Sequence, residues 1–426
     1  MSPLITTIII LVITIILFCT GKIPQGLCGL FCTVALLVTK VLTAAEAFAG
    51  FANSNVVIMF CMMIISAGLM KTHLMEKIVG LVQKIGGGSL TSIVLSFGLI
   101  TIIMSQFMNA FVAVACMLPF ISGMCEDFNV PKTKVVFPIA CISLAWVFMF
   151  PVGMGISNVA QMNGYLEAFE NPLRFGMWTL VWSRLPGAIL TTLFCIFILP
   201  KLCPGETTGE VKENLSREVA KSTLSPKMEI IAYILSIGSI VMMLTNSLHK
   251  IPAVTVAVTG AFLMVLLRVL SEKEAIASVN WGMVFMFAGI LPIATALTKT
   301  GASDVVANAI QTALGGTTNP WVINFAFGMT VFILTQFLSN TAMVAVFVPL
   351  ALLVCTELGM NPTGVMGIVF IAATSSYLTP MATPGVPLAM GAAGYTFKDV
   401  VKMGILPALI CILAGIIWCS IVFPAF

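Results

Sequence analysis

Charge is what this sequence lacks most. Asp, Glu, Lys and Arg together make up 8% of its 426 residues, where a soluble domain carries about a quarter. So few charges cannot clothe a water-facing surface, which excludes a soluble enzyme and a nucleic-acid binder. Twelve cysteines occur without a single Cys-x-x-Cys pair. Most sit inside apolar runs, where they act as small buried hydrophobes, so neither a disulfide scaffold nor a metal site is expected. Histidine is almost missing: His73 and His249 are the only two, both in the connections between apolar runs, which argues against an intramembrane hydrolase. Segments of alternating apolar and polar residues are missing too, and with them the signature of an outer-membrane barrel. The start, Met1-Ser2-Pro3, has no basic n-region, so the first apolar run reads as a retained span and not a cleaved signal.

What the sequence has is apolar length. The apolar set supplies 59% of the residues and the mean hydropathy is +1.11. Runs of about 18 apolar residues recur, and the expected fold class is an all-α polytopic membrane protein. Spans are expected near residues 4–19, 25–41, 53–69 and 177–199, with an amphipathic stretch at 71–84. Between them lie a long stretch, 90–120, interrupted at Ser105, Gln106 and Asn109, and a run, 135–161, broken by Pro151, Gly153 and Gly155. A charged, Pro- and Gly-containing segment, 201–227, reads as a solvated linker. The same order then returns: spans at 230–244, 253–270 and 281–297, an amphipathic stretch at 302–314, an interrupted stretch at 321–354, a broken run at 364–391 and a last span at 404–423.

The repeat survives at the residue level. Val41 to Ala47 answers Val269 to Ala275 at an offset of 228, while Gln106, Phe107, Pro119 and Tyr165 answer Gln336, Phe337, Pro349 and Tyr395 at an offset of 230. Two repeats are therefore expected, residues 1–200 and 228–426, joined by a cytoplasmic linker at 201–227. Each would hold five spans, one re-entrant hairpin (about 89–121 and 321–354) and one discontinuous helix (about 135–161 and 364–391). Five is odd, so the second copy would be inverted. On that tracing fifteen of the 20 Lys and Arg fall on one side, and only Lys40, Arg174, Arg184, Lys250 and Lys299 on the other. The richer side should be cytoplasmic, with both termini outside, in a cell (inner) membrane.

Backbone that leaves helical geometry inside hydrocarbon must be satisfied by protein, ion or water, so such breaks survive only where they line a cavity. Paired breaks in two inverted halves point to a transporter binding site near the bilayer midplane. A broken helix turns an N-terminus worth about +0.5 charge into the cavity, where it can hold an anion without a basic side chain. Freed carbonyls and hydroxyls can take a sodium ion. Residues 86–124, 135–166, 320–356 and 361–397 contain no Asp, Glu, Lys, Arg or His. A proton relay needs ionisable groups, so sodium coupling or plain exchange is what remains. The strongest candidate features are Ser339-Asn340-Thr341 beside Gln336, and the second break, where Pro380, Pro384 and Pro387 forbid a continuous helix.

Ser339-Asn340-Thr341 followed by Ala342 and Pro349, the pattern Thr379-Pro380-x-x-Thr383-Pro384, and Gly394-Tyr395-x-Phe397-Lys398-Asp399 resemble the divalent-anion/sodium symporter family of dicarboxylate, citrate and sulfate transporters. The resemblance covers both halves in order. It implies an elevator-type homodimer, with a transport domain moving past a scaffold, no cofactor, and sodium as coupling ion. It also implies that Ser339, Asn340, Thr341 and Pro384 contact the substrate. With Asn340, the residues Thr379, Ala382 and Thr383 would form one sodium site. In the first half Asn109 would meet substrate, and Ser105, Asn109, Gly153, Ser157 and Asn158 would form the other sodium site. That half departs from the pattern, since its tip reads Ser105-Gln106-Phe107-Met108-Asn109-Ala110-Phe111 and its break has no threonine or second proline. An asymmetric site, or a substrate smaller or less charged than a dicarboxylate, is the expectation. The alternatives are a sodium-independent anion exchanger, a permease of the arsenite or sodium/proton branch, and, from another class, a membrane enzyme or an accessory subunit of a multi-protein system. The expected partners are a small anion, sodium, the bilayer and a second copy, with no nucleic acid.

Overall fold

The computed structural model describes residues 2–20, 22–73, 89–205, 224–381, 383 and 385–426. Most of the amphipathic stretch 71–84 and of the linker 201–227, together with Ala382 and Pro384, lies outside the described residues. Among the described residues the chain is helical and has no strand. The first half runs α1 (Pro3–Thr20), α2 (Gln25–Val38), α3 (Ala44–Phe48), α4 (Ser54–Met70), α5 (Leu90–Met104), α6 (Ala110–Asp127), α7 (Val136–Trp146), α8 (Met154–Ala168) and α9 (Thr179–Phe197). The second runs α10 (Pro226–Leu244), α11 (Ala253–Leu266), α12 (Glu272–Ser278), α13 (Trp281–Ile290), α14 (Pro292–Thr300), α15 (Ala302–Ala313), α16 (Pro320–Thr335), α17 (Asn340–Glu357), α18 (Thr363–Thr374), α19 (Gly385–Ala393) and α20 (Phe397–Val422). Among the described residues seven stretches are long and apolar enough to cross a bilayer, α6 and α17 among them. Apolar side chains such as Ile234, Phe262 and Phe197 stand exposed on the outer faces, as a surface meeting lipid requires.

Contacts between the halves are reciprocal. Thr43 and Glu46 form a capping box at the start of α3, and Ser271 and Glu274 form the same box at the start of α12, 228 residues later. Glu46 pairs with Lys299 at 2.9 Å, and Glu274 with Lys71 at 2.6 Å. Lys299 follows Lys71 by the same 228 residues, so each half's lysine meets the other half's glutamate, which is the pattern of a two-fold contact. The Lys71 ammonium, with the Ser271 backbone N–H, holds the Glu274 carboxyl at about 2, down from 4.5.

Helices exchange partners in the same way, α2 packing on α13 and α11 on α4. A Cβ at Gly29 would lie 2.6 Å from the Met286 backbone, and one at Gly289 would lie 2.4 Å from the Gly29 carbonyl carbon. Thr33 Oγ1 donates to the Gly289 carbonyl across the same contact, at 3.0 Å. Small residues permit such an approach, and dispersion and hydrogen bonds replace the hydrophobic drive that lipid removes. The last helices, α9 and α20, cross antiparallel: Gly187 lies against Cys411, and Trp418 Nε1 donates to the Trp182 carbonyl at 2.7 Å.

Both interrupted stretches turn back on themselves. Gly98 faces Ile142, and the Ser105 carbonyl accepts from Phe148 N at 2.9 Å, so α5 and α7 run side by side in one direction. The start of α6 meets α7 near its far end, where Ser143 Oγ donates to the Ala110 carbonyl, so α6 runs the opposite way. In the second half Gly328 faces Ile368, and Thr335 Oγ1 donates to the Ala373 carbonyl at 2.9 Å, which sets α16 along α18. The tips of both hairpins therefore meet the ends of the broken helices.

Candidate functional site

Where the helices break, one glutamine in each half satisfies the unwound chain. Gln106 Nε2 donates to the Ile102 and Trp146 carbonyls at 2.8 Å each, and its Oε1 accepts from Met149 N and Phe150 N at 3.0 Å each. Gln336 Nε2 donates to the Phe332 carbonyl at 2.8 Å and to the Ser375 carbonyl at 3.1 Å, and its Oε1 accepts from Leu378 N at 3.1 Å. The Gln336 carbonyl in turn accepts the Thr379 hydroxyl. Each amide thus uses both its ends on backbone that a continuous helix would have paired internally, which is the condition for a break to persist away from water.

Four helix N-termini open onto one cavity of about 720 Å³. The first residues of α6, α8, α17 and α19, namely Ala110, Met154, Asn340 and Gly385, all line it. A Cβ on Gly385 would lie 3.9 Å from Phe111 N, so the start of α19 faces the first turn of α6. Among the described residues no Asp, Glu, Lys, Arg or His lines this space. The four ends are not equivalent. Asn109 Oδ1 caps α6 by accepting from Val112 N at 2.9 Å, whereas α8 and α17 have no side-chain cap and keep backbone donors for a ligand. At the start of α8, Gly153 adopts φ +52°, and a Cβ there would stand 2.9 Å from Ser66 Oγ; glycine alone takes this backbone without strain.

Of the residues expected at the site, Asn109, Asn158, Ser339, Asn340, Thr341 and Thr383 line the cavity together. The Ser339 and Thr341 hydroxyls bond each other at 2.9 Å, and Asn340 Oδ1 accepts from Thr335 Oγ1 at 2.9 Å. Thr383 Oγ1 is buried and has no hydrogen-bond partner among the described residues. Others are set back from the cavity. Ser105 Oγ is bonded to Ser143 Oγ at 2.7 Å, Ser157 Oγ donates to the Met59 carbonyl at 3.1 Å, and Thr379 is tied to Gln336. Gly153 contributes only backbone at the head of α8. Ala382 and Pro384 fall outside the described residues.

Three groups at the cavity or bonded to its lining had no signal in spacing. Gln25, at the start of α2, bonds both Ser339 and Thr341, at 2.5 and 2.7 Å, from more than 300 residues away. Ser66 on α4 and Gln161 on α8 line the cavity, and the Ser66 hydroxyl and the Gln161 amide nitrogen lack partners among the described residues. Their only trace in the sequence is a polar letter inside an apolar run. Arg184, counted above among the outer-loop cations, requires a correction: it lies inside α9, 3% exposed. Its Nη1 donates to the Val147 carbonyl at 2.8 Å and its Nη2 to the Ala145 carbonyl at 3.0 Å, with the guanidinium 5.4 Å from the centre of the Phe370 ring. An intramembrane arginine of this kind escapes a loop count because one charge does not end an apolar span.

Comparison with known proteins follows the same lines. The sequence profile of the citrate transporter family (CitMHS) matches residues 15–352 and 313–425. An uncharacterized transporter of Haemophilus influenzae is 26% identical over 90% of this chain and 86% of its own length. The sodium-dependent dicarboxylate transporter SdcS of Staphylococcus saprophyticus is 22% identical over 90% of this chain and 79% of its own. Two longer relatives are matched over only 34% and 29% of their length. Among solved structures the Alcanivorax borkumensis YdaH transporter has a TM-score of 0.67 at 14% identity, covering 99% of this chain and 98% of that one. That likeness establishes a shared fold.

Proposed function

The chain belongs to the citrate transporter family, and on that premise we propose that it is a secondary active symporter that moves a di- or tricarboxylate with sodium. It is a membrane transporter and not an enzyme. One observation carries the reading of the substrate: four helix N-termini meet in a cavity that no charged side chain among the described residues lines. At about +0.5 each they sum to about +2, a match for a dianion that can be released again, since no charged side chain among the described residues is left unpaired on the cavity wall itself. The dicarboxylate named for SdcS agrees with that sum, and it favours the dianion over a smaller or less charged ligand.

Sodium fits as coupling ion because nothing ionisable among the described residues lines the cavity to carry a proton, and because the breaks supply hydroxyls and carbonyls. The antiparallel crossing of α9 and α20 and the exchanged Lys–Glu pairs support two inverted repeats about an axis in the membrane plane. On this reading the hairpin tips and broken helices travel past α1 to α4 and their counterparts α10 to α14, as an elevator within a homodimer, with the linker 201–227 cytoplasmic and both termini outside.

The test is thermal stabilisation of the purified protein by an anion panel, with and without sodium. A ligand at a hundred times its Kd stabilises by about 2.7 kcal/mol. Citrate or succinate should raise the melting temperature only when sodium is present, and Asn340→Ala should abolish the response while leaving the unliganded melt in place. Stabilisation by cationic or neutral solutes alone would end the reading.

A further inference from the structure

The two breaks differ in one respect that bears on ion coupling. At the first, the carbonyls at the end of α7 are already taken: Arg184 holds Ala145 and Val147, Gln106 holds Trp146, and Asn158 Nδ2 reaches Phe148 at 3.4 Å. Arg184 is buried, and no carboxylate pairs with it among the described residues. Val147 and Phe370, which it touches, both line the cavity. A full positive charge therefore stands one residue layer behind the cavity wall, at the negative end of a helix.

At the second break the chemistry is reversed. α20, the counterpart of α9, carries no Lys or Arg after Lys402, so it builds no cation into its apolar span. Trp146, Met149 and Gly153 correspond to Ser376, Thr379 and Thr383. Of these oxygens, Ser376 Oγ and Thr383 Oγ1 are buried without a hydrogen-bond partner among the described residues. At the first break the buried unpartnered hydroxyl among the described residues is that of Ser66, which reaches Gly153 from α4, where a hard cation collects several oxygens.

We propose that Arg184 is a tethered cation that occupies the coupling-ion position of the first half, so that the transporter binds a mobile sodium only at the second break. The guanidinium neutralises the carbonyl end of α7 and supplies a constant attraction for the anion. An ionisable group so far inside an apolar span is retained for such a role, and its fork suits two carbonyls at once. Ser105 and Ser157, whose hydroxyls are spent on protein partners, then have no ion to bind. The proposal rests on the sodium-symport reading above.

The experiment is a sodium titration of citrate binding to the full-length protein, followed by citrate-dependent thermal stabilisation. The slope of log affinity against log sodium gives the number of ions linked to the anion. The wild type should give a slope of about one. Arg184→Gln should weaken citrate binding at low sodium by about tenfold or more, through loss of a nearby charge, and the vacated carbonyls should recruit sodium and raise the slope. Arg184→Lys keeps the charge and should keep the wild-type slope. A wild-type slope of two, or an Arg184→Gln protein indistinguishable from wild type, overturns the proposal and leaves symport standing. A slope of zero with citrate still bound removes sodium coupling itself. If the Gln variant does not fold, the wild-type and Lys slopes still decide.

Discussion

At the scale of single residues, the two hairpin tips solve one problem differently. Asn109 spends its side-chain oxygen on its own helix, while Ser339 leaves the start of α17 uncapped and Asn340 bonds Thr335. Asn109 therefore has only its amide N–H groups to offer a ligand. Replacing it with Asp keeps an oxygen that caps as well as Asn does, so the unliganded protein should melt within about 0.5 kcal/mol of wild type. The new carboxylate would face a dianion across the cavity. At an effective dielectric of about 20 the repulsion is a few kcal/mol, and citrate affinity should fall by about a hundredfold or more. Isothermal titration with both proteins checks this; equal affinities would show that Asn109 does not face the anion.

At the scale of elements, the breaks and hairpins were legible because prolines and polar clusters cannot sit silently in hydrocarbon. Pro380, Pro384 and Pro387 forbid one continuous helix, and Gln106 and Gln336 repeat at one offset. The contacts that join the halves were not legible. Gln25 meets Ser339 and Thr341, and Arg184 meets Val147, through folding alone, and no period within a helix encodes a partner on another one. The α2–α13 contact lies between these cases, since Gly29 and Gly289 are visible as glycines but their apposition is not. Gly289→Val should prevent that approach: with a Cβ 2.4 Å from backbone nothing flexible can yield, and the cost should exceed the usual 1–3 kcal/mol of overpacking. Gly238→Val in α10, where nothing lies within 4 Å, serves as the control. Fluorescence-detected gel filtration should show little folded Gly289→Val and normal Gly238→Val; comparable yields would mean that α2 and α13 are not packed this closely.

At the scale of the whole molecule, the ionisable groups among the described residues are sorted away from the cavity. Some form partly exposed links between the halves, such as Lys71 with Glu274 and Lys299 with Glu46, while Arg184 stands behind the wall. This sorting fixes how the protein responds to pH. Glu274 has its folded pKa lowered from 4.5 to about 2, so its contribution is complete above 4.5 and is lost only as pH falls toward 2. Its partial exposure keeps that contribution small. Among the described residues no carboxylate, histidine or lysine lines the cavity, so the protein side of the site should keep one charge state between about pH 5.5 and 8. Anion affinity over that range should therefore follow the ligand's own ionisation and nothing else. A dianion such as sulfate, fully ionised throughout, should show a flat profile if it binds, whereas citrate should vary with its last carboxyl. A bell-shaped curve for a ligand that does not titrate would require an ionisable group in the site, and would contradict a cavity whose positive character comes from peptide dipoles.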